Sequence, residues 1–419
     1  MSPRVHVAEW NGMFQHTQLP NGLTIIAESN PTAESLALGF FVKTGSRDES
    51  PEVSGVSHFL EHMAFKGDEH YTAEDVNRIF DEVGAKYNAS TSEEVTCYYA
   101  AILPEYLRRT FTLLTTLIRP SLRDDDFDVE KQVIIEEIGM YRDMPPFHLY
   151  EQAMSFHFSG HPLGNSILGT AESVGALTSA QMRAYHDVHY RAGNIVLVAA
   201  GRVDWDELLG LANEFCSGWP AGHPERIVET PQVESKSQWL LDATLNQQHV
   251  MQMASAPSGD SAQRYIAELV SVMVGDDSSG RLYWELVDPG HAESADLSFN
   301  DYIGAGAWST YVCCRPELTL QNLDKVRQIY EEFNKNGPSA DEFERARTKV
   351  GSRVVLGSER PMGRLTSLGG NWLSGQGYRS VEDDLATLAS LSLKDVHELL
   401  AEFPLAQSTS MGYGPFEGK

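Results

Sequence analysis

The chain has 419 residues, more than a single hydrophobic core usually serves, so its length favours two domains. Its 32 basic and 59 acidic residues give a formal net charge of -27, which argues against nucleic acid as a partner because phosphate binding needs a basic face. Two explanations of the acidic excess remain open: solubility, or a carboxylate-lined chamber that attracts cationic peptides.

Cysteine content and apolar patterning bear on the compartment. Four cysteines are too few and too irregularly spaced for a disulfide framework or a cysteine zinc site, and they favour a reducing compartment. The N-terminal stretch has no apolar run behind a basic start, and no segment approaches the roughly 18 apolar residues of a membrane span. We therefore expect a cytoplasmic protein that does not cross a membrane.

The segment Gly55–Phe65 is the first element that carries chemistry. Apolar residues recur in it at helical spacing and predict a largely buried helix that ends at Gly67. On such a helix His58 and His62 project from one face, with Glu61 beside them. This is the histidine–glutamate helix motif of zinc peptidases in reversed order, the inverzincin pattern. Two core histidines beside an ion-paired glutamate are the alternative.

A strand and two helices follow in the first half. The run Val95–Leu103 predicts a strand, and Leu107–Ile118 predicts an amphipathic helix. A second, longer helix is predicted from Asp126 to about Met144, where Pro145 stops it. This long helix offers the acidic residues that a metal site needs.

Two glutamates of the long helix share one apolar arc. Glu130 and Glu137 fall within a single arc of roughly 100° around the helix, together with Val133, Ile134 and Tyr141, whereas Glu136 falls outside that arc. Burying two carboxylates there costs several kcal/mol unless a cation or donor compensates. Zinc needs a third protein ligand and an open position for water. We therefore expect His58, His62 and Glu137 to bind Zn²⁺, and Glu130 to orient one of these ligands.

The same side chains and the other histidines allow different pairings. Salt bridges to Lys131 or Arg142 are the other explanation for Glu130. Two further histidine pairs are expected to be structural for want of a third ligand: His157 with His161, and His186 with His189.

The second half of the chain echoes the first at an offset of about 214 residues. Three features recur in order. A strand followed by a helix recurs at Ala307–Cys314 and Leu320–Phe333, and the long helix recurs from Glu342 to about Arg360. A helix that starts at Leu177 and leads into the strand Asn194–Gly201 recurs as a helix that starts at Leu391 and leads into Gln407–Gly412. We therefore predict a tandem duplication with domains at 1–220 and 235–419 and a linker at 221–234. Each domain is expected to be α+β, a mostly antiparallel sheet with helices packed on one face.

Five segments carry a resemblance to a known family: Pro20–Thr24, Gly45–Glu49, His58–Gly67, Asn88–Thr91 and Val133–Ile138. They are similar to segments of the pitrilysin family, which includes insulysin and the mitochondrial processing peptidase. The resemblance implies two similar α+β domains per chain and a zinc site in the first. It also implies that Glu137 is the third ligand, that Glu130 supports the site, and that chains pair as dimers around a peptide chamber.

The resemblance extends to the second domain, with one departure. Ser279–Tyr283 resembles a segment that supplies a substrate-binding arginine, so Arg281 is the expected equivalent. Family enzymes usually place a tyrosine some twelve or thirteen residues later, where this chain has Glu293 and Ser294. The nearest tyrosine is Tyr302.

The expected activity is that of a zinc-dependent endopeptidase or oligopeptidase that cleaves peptides or unfolded segments inside a closed chamber. One Zn²⁺ per chain and Glu61 as general base would carry it, and a substrate peptide could pair with the strand around Asn88 and Ala89. The expected partner is a second copy, or else a related subunit. Two alternatives stay open: a weakly active or inactive structural or chaperone-like subunit of the same scaffold, and a metal-dependent hydrolase of another substrate.

Overall fold

Two mixed β-sheets and their surrounding helices make up residues 13–406, 409–416 and 418, the part of the chain that the computed structural model describes. The strands of the first half are β1 (Met13–Gln18), β2 (Thr24–Ser29), β3 (Leu36–Val42), β4 (Lys86–Thr91), β5 (Thr96–Ile102) and β6 (Ile195–Gly201). Its helices are α1 (Val56–Ala64), α2 (Ala73–Glu82), α3 (Leu107–Ile118), α4 (Asp124–Arg142), α5 (Pro145–His157), α6 (Ala171–Ala176), α7 (Ser179–His189) and α8 (Trp205–Cys216).

The second half has the same kinds of elements. Its strands are β7 (Lys236–Leu241), β8 (Gln248–Ser255), β9 (Ser294–Tyr302), β10 (Ala305–Cys314) and β11 (Thr409–Gly414). Its helices are α9 (Arg264–Gly275), α10 (Thr319–Asn336), α11 (Ala340–Ser358), α12 (Pro361–Leu373), α13 (Val381–Ser390) and α14 (Leu393–Glu402). None of the helices in the described residues combines the length and the apolar character that crossing a bilayer requires.

Most predicted elements are confirmed, and the differences lie at their ends. Helix α1 ends at Ala64 instead of Gly67, because the chain then enters a turn in which Gly67 has a positive φ of 82°. Helix α4 begins at Asp124, two residues before the predicted start. Two predictions lie outside the described residues: the beginning of the last strand at Gln407, and the N-terminal stretch that was considered for a leader.

The two sheets repeat one strand order. The first sheet runs β1-β2-β6-β3-β5-β4, and the second runs β7-β11-β8-β10-β9. The pair β2/β6 is parallel, as is its counterpart β7/β11, and the other pairs are antiparallel. Strand β1 has no counterpart in the described part of the second sheet. The predicted fold class is confirmed: the chain forms two similar α+β domains in tandem, each with a mostly antiparallel sheet and helices packed against it.

Contacts divide the described residues into two compact units that exchange segments of the chain. One unit runs to Ile134 and adds Glu172–Glu225 and Gly357–Leu373, so it includes α12 from the second half. The other comprises Ile135–Ala171, Arg226–Leu356 and the segment from Ser374 onward, so it includes α5 from the first half. These units group residues by contact and not by chain position, so the domain boundaries at 220 and 235 stay a prediction.

The first unit covers both faces of its sheet. Residues of β3 and β6 are buried at every position. Phe40 packs against Phe111 of α3, with ring centroids 5.7 Å apart. Its neighbour Phe41 points to the opposite face, where a Cβ atom at Gly369 of α12 would lie 2.7 Å from the ring. Helix α12 therefore adds a second cover to the sheet, beyond the single helical layer that the sequence predicts.

The second unit is built in the same way. Trp308 of β10 packs into a core with Val326 of α10 and Leu399 of α14. Met251 of β8 belongs to a separate core on the other face, with Leu149 of α5. Each sheet is thus completed by the helix that begins with a proline just after the long helix of the other half.

A buried ion pair holds α12 against the first sheet. The guanidinium of Arg364 donates from Nε and Nη2 to the two carboxylate oxygens of Glu28 on β2, at 2.7 and 2.6 Å. Both side chains are only 3 % exposed. Removing one partner of a buried ion pair with this bidentate geometry strongly destabilises a protein, because the charge of the other partner stays buried.

A second buried carboxylate caps the start of α1. Glu49 accepts hydrogen bonds from the backbone N–H groups of Gly55 and Ser57, both at 2.7 Å. The first N–H groups of a helix have no acceptor within the helix, and the Glu49 side chain supplies acceptors for two of them. Burial nevertheless raises the pKa of Glu49 to about 8.

Arg364→Met should destabilise the protein by about 3–5 kcal/mol, because it removes the guanidinium that balances the buried carboxylate of Glu28. Urea unfolding followed by circular dichroism measures the loss, and adding Glu28→Gln should recover part of it. Arg108→Met is the matched control, because Arg108 forms an exposed ion pair with Glu214. This variant should unfold at nearly the same urea concentration as the wild type. An unchanged midpoint for Arg364→Met would contradict the described role of α12.

Glu49→Gln should remove a pH dependence of stability. The folded chain keeps a proton on Glu49 up to a pKa of about 8, whereas an unfolded chain releases it near the ordinary value of 4.5. The contribution of Glu49 to stability is therefore greatest below about pH 4.5 and is lost as the pH rises towards 8. Over this window the unfolding free energy of the wild type should fall relative to that of the variant. Parallel pH profiles of the two proteins would refute this.

Candidate metal centre

Helix α1 buries one side and presents its charged residues on the other. Val56, Phe59 and Met63 are fully buried, as the predicted helical pattern requires. The rings of His58 and His62 lie one turn apart, with their centroids 4.7 Å from each other. His58 is buried, while His62 is partly exposed. One side of this helix thus holds two imidazoles close together at the edge of the core.

A third donor reaches the two histidines from α4. One ligand atom from each of His58, His62 and Glu137 lies within 4.8 Å of the others, so these three residues could hold one metal ion. Two imidazole nitrogens and a carboxylate are a donor set that zinc takes in catalytic sites, where it keeps a fourth position for water. The residues present therefore fit the ion that the sequence predicts.

Glu130 contacts His62 and Lys66. Its Oε1 lies 2.9 Å from His62 Nδ1, and its Oε2 lies against the ammonium of Lys66. Burial by itself would raise the pKa of Glu130, but the hydrogen bonds from His62 and Lys66 outweigh burial and lower it. The alternative salt bridge to Lys131 is not formed, because Lys131 donates to backbone carbonyls at Gly175 and Leu177.

An ionised Glu130 also settles which nitrogen of His62 faces the site. A carboxylate can only accept, so Nδ1 of His62 carries a proton, and in the neutral imidazole Nε2 keeps its lone pair. This is the arrangement in which a histidine binds a metal through one nitrogen and is oriented by a carboxylate at the other.

Glu61 is held by the end of strand β4. The hydroxyl of Thr91 donates to Glu61 Oε2 at 2.6 Å. Glu61 is partly exposed and lies next to His62 in the chain. One carboxylate oxygen is thus fixed by a neutral donor beside the three candidate ligands.

Strand β4 forms one edge of the first sheet. It pairs with β5 on one side, and in the described residues no strand pairs with its other side. Asn88 is exposed and Ala89 is buried on this strand, opposite Tyr99 and Tyr98 of β5. The free edge has the backbone geometry that strand addition needs.

Sequence reasoning assigned no role to three residues that contact the site or its helix. Glu49 caps α1, Thr91 holds Glu61, and Lys66 contacts Glu130. All three lie inside segments that carry the family resemblance, which was the one available signal. Their partners are set by tertiary packing, which a local pattern cannot show.

The two remaining histidine pairs lie apart from the candidate ligands. His157 bonds to Thr409 Oγ1 at 2.8 Å, and His161 bonds to the carbonyl of Glu229 at 3.0 Å. His186 bonds to the carbonyl of Ile118 at 3.0 Å, and His189 lies 3.2 Å from Thr44 Oγ1. Each of the four imidazoles thus has a hydrogen-bond partner in the protein, and the structural role of the two pairs stays a prediction.

Arg281 is engaged in ion pairs within the second unit. Its Nε and Nη2 donate to the carboxylate of Glu342 at 2.7 and 3.1 Å, and its Nη1 contacts Glu332. The guanidinium also lies over the ring of Phe333, 4.8 Å from the centroid. A role in substrate binding would require it to leave these partners, so that role stays a prediction.

The positions where the resemblance would place a tyrosine are polar. The exposed Glu293 contacts the side-chain amide of Gln247, and Ser294 is the first residue of β9. Tyr302, the nearest tyrosine, is buried and packs against Phe158. The described structure therefore offers no phenol at these positions.

Comparisons with known proteins agree with this fold. A family model described as Insulinase (Peptidase family M16) matches residues 24–171, and one described as Peptidase M16 inactive domain matches residues 176–350. Two solved structures share the fold: a protease from Helicobacter pylori (20 % identity, TM-score 0.88, 96 % of this chain and 100 % of that one) and a peptidase M16 inactive domain from Pseudomonas fluorescens (17 % identity, TM-score 0.89, 96 % and 98 %).

Curated relatives match over nearly the whole length. An uncharacterized zinc protease from Mycobacterium tuberculosis is 30 % identical over 394 residues, which cover 91 % of this chain and 89 % of that protein. An uncharacterized zinc protease from Bacillus subtilis is 27 % identical over 389 residues, covering 92 % and 95 %. The two family models together span most of the chain and include all four residues of the inverzincin set, His58, Glu61, His62 and Glu137. The chain belongs to the insulinase family, peptidase family M16.

Proposed function

We propose that this chain is a zinc-dependent endopeptidase or oligopeptidase that cleaves peptides or unfolded segments, with one Zn²⁺ held by His58, His62 and Glu137. The observation that carries the proposal is the convergence of one ligand atom from each of these residues within 4.8 Å. Relatives of this chain are named zinc proteases, which supports the same ion and the same class of substrate.

Each residue around the three ligands has a separate task in the proposal. When bound, zinc supplies a Lewis acid that lowers the pKa of a water molecule and polarises the scissile carbonyl. Glu61 would take a proton from the attacking water as a general base and would give it to the leaving amine as a general acid. The hydroxyl of Thr91 holds the Glu61 carboxylate through Oε2. Glu130 orients His62.

The substrate is proposed to bind as an extended peptide along β4. Backbone groups at the open edge of this strand can pair with a peptide in any sequence, so Asn88 and Ala89 would hold the main chain while side chains point away. Such pairing requires an extended segment, which favours short or unfolded substrates. Arg281 is kept as a candidate substrate contact from the family resemblance.

The setting of the enzyme is part of the same proposal. The closed chamber and the pairing of chains, as a homodimer or with a related subunit, rest on the family resemblance. A cytoplasmic location is supported by the four cysteines Cys97, Cys216, Cys313 and Cys314, which are all free.

A second candidate function has one observation in its favour. Glu293 and Ser294 replace the tyrosine that the family resemblance leads one to expect, which is compatible with a weakly active or inactive structural or chaperone-like subunit. The model named for an inactive domain matches residues 176–350 only, so its name does not bear on His58, His62 or Glu137. Peptide digestion with and without a chelator separates the two functions.

Glu61→Gln should abolish turnover while leaving zinc bound, because the amide cannot accept the proton and Glu61 is not among the three ligands. We expect one zinc per chain by metal analysis and a loss of at least about 100-fold in kcat on a quenched fluorescent peptide. Glu137→Ala should lose the metal as well. The matched control is Glu136→Gln, an exposed neighbour of Glu137 that should change neither readout. Retained hydrolysis in Glu61→Gln would remove Glu61 from the mechanism.

Thr91→Val should lower kcat by about tenfold without changing zinc content, because the isosteric side chain no longer fixes the Glu61 carboxylate. Thr91→Ser keeps the hydroxyl and should retain most of the activity. KM should change less than kcat, since the hydrogen bond acts on the base and not on the bound peptide. Equal activities for the valine and serine variants would show that the contact has no role in turnover.

A further inference from the structure

Lys66 and His62 share one buried carboxylate. His62 Nδ1 donates a hydrogen bond to Glu130 Oε1 at 2.9 Å, and the ammonium of Lys66 forms an ion pair with Glu130 Oε2. The side chain of Glu130 is 8 % exposed, against 27 % for that of Lys66. Both donors come from the end of α1 and the turn after it, and the acceptor comes from α4.

The ammonium supplies what a neutral imidazole cannot. A buried carboxylate needs compensation for its charge as well as for its lone pairs. The hydrogen bond from His62 satisfies one oxygen but leaves the negative charge uncompensated. Lys66 brings the opposite charge to the other oxygen, and with both oxygens held by different groups the carboxylate cannot rotate away from His62.

The position of Glu130 makes this restraint matter. Glu130 precedes Glu137 by about two turns on the same arc of α4, and both carboxylates lie next to His62. Released from Lys66, Glu130 could turn towards the imidazoles and compete for the position that zinc keeps for water. An unrestrained Glu130 would also stop orienting His62.

The second half of the chain offers a structural comparison. There Asp276, at the end of α9, pairs with Lys349 and Arg353 of α11. The two helices are thus tied by an ion pair of reversed polarity, and Ala346 stands at the position in α11 that matches Glu130 in α4. A purely structural tie between such helices therefore needs neither a lysine after the first helix nor a carboxylate that contacts a histidine.

We infer that Lys66 is a positioning residue of the metal centre, which acts through Glu130 to hold His62 in the tautomer and orientation that present Nε2 to the ion. The inference rests on the proposed zinc site. It predicts an effect on the affinity and geometry of the bound metal, beyond any effect on folding.

The test compares three variants of the full chain: Lys66→Met, Lys66→Arg and Lys349→Met. Zinc affinity is measured by competition with a chelator, ligand geometry by the visible spectrum of the cobalt(II) form, and stability by urea unfolding. Lys66→Met should bind zinc about tenfold more weakly and change the cobalt spectrum. Lys66→Arg keeps the charge and should stay within about threefold of the wild type. Lys349→Met, which weakens the matching tie of the second half, should lower stability with no change in zinc affinity.

The outcomes separate this inference from the proposed function. If Lys66→Met binds zinc as the wild type does and gives the same cobalt spectrum, the inference is overturned while a zinc-dependent wild-type activity still stands. If Lys349→Met weakens zinc binding as much as Lys66→Met, the effect is one of general stability and the inference also fails. A wild type that binds no zinc overturns both. Should Lys66→Met not fold, Lys66→Gln removes the charge with a polar side chain and is judged by the same criteria.

Discussion

The contact between α1 and α4 is the constraint on which the candidate metal centre depends. Phe59 and Phe127 stack with their ring centroids 4.6 Å apart, and this apolar contact sets the register of the two helices. One helical turn beyond Phe127 lies Glu130, and about two turns further lies Glu137, so the regular geometry of α4 then determines where both carboxylates stand. The chemistry of the site therefore depends on a pair of rings that takes no part in it.

Local sequence patterns predict the site residues themselves better than they predict the partners that hold those residues in place. The helical spacing of His58 and His62 and the shared arc of Glu130 and Glu137 require only short stretches of sequence, and the structure brings all four side chains together. The partners of these groups come from other elements or from turns between them. The hydroxyl of Thr91, for example, belongs to a strand whose end meets α1 only in the folded chain, so no periodicity could announce it.

The fold shows the same division between what is local and what is not. Matching elements at a nearly constant offset predict the duplication, because each half builds the same sheet from the same order of strands. Helices α5 and α12 have no matching prediction, because contacts between residues distant in the chain decide which sheet each of them covers. The second half further shows that the scaffold stands without the metal ligands: Arg353 occupies the position in α11 that corresponds to Glu137 in α4.

The exchange of α5 and α12 has a consequence for the order of events during synthesis. Strand β6 completes the first sheet, yet α12, which covers one of its faces, is made about 160 residues later. Until α12 is made, no helix covers Phe41 and its neighbours, and the ion pair between Glu28 and Arg364 cannot form. A ribosome-bound first half is therefore an unfinished unit with an open apolar surface.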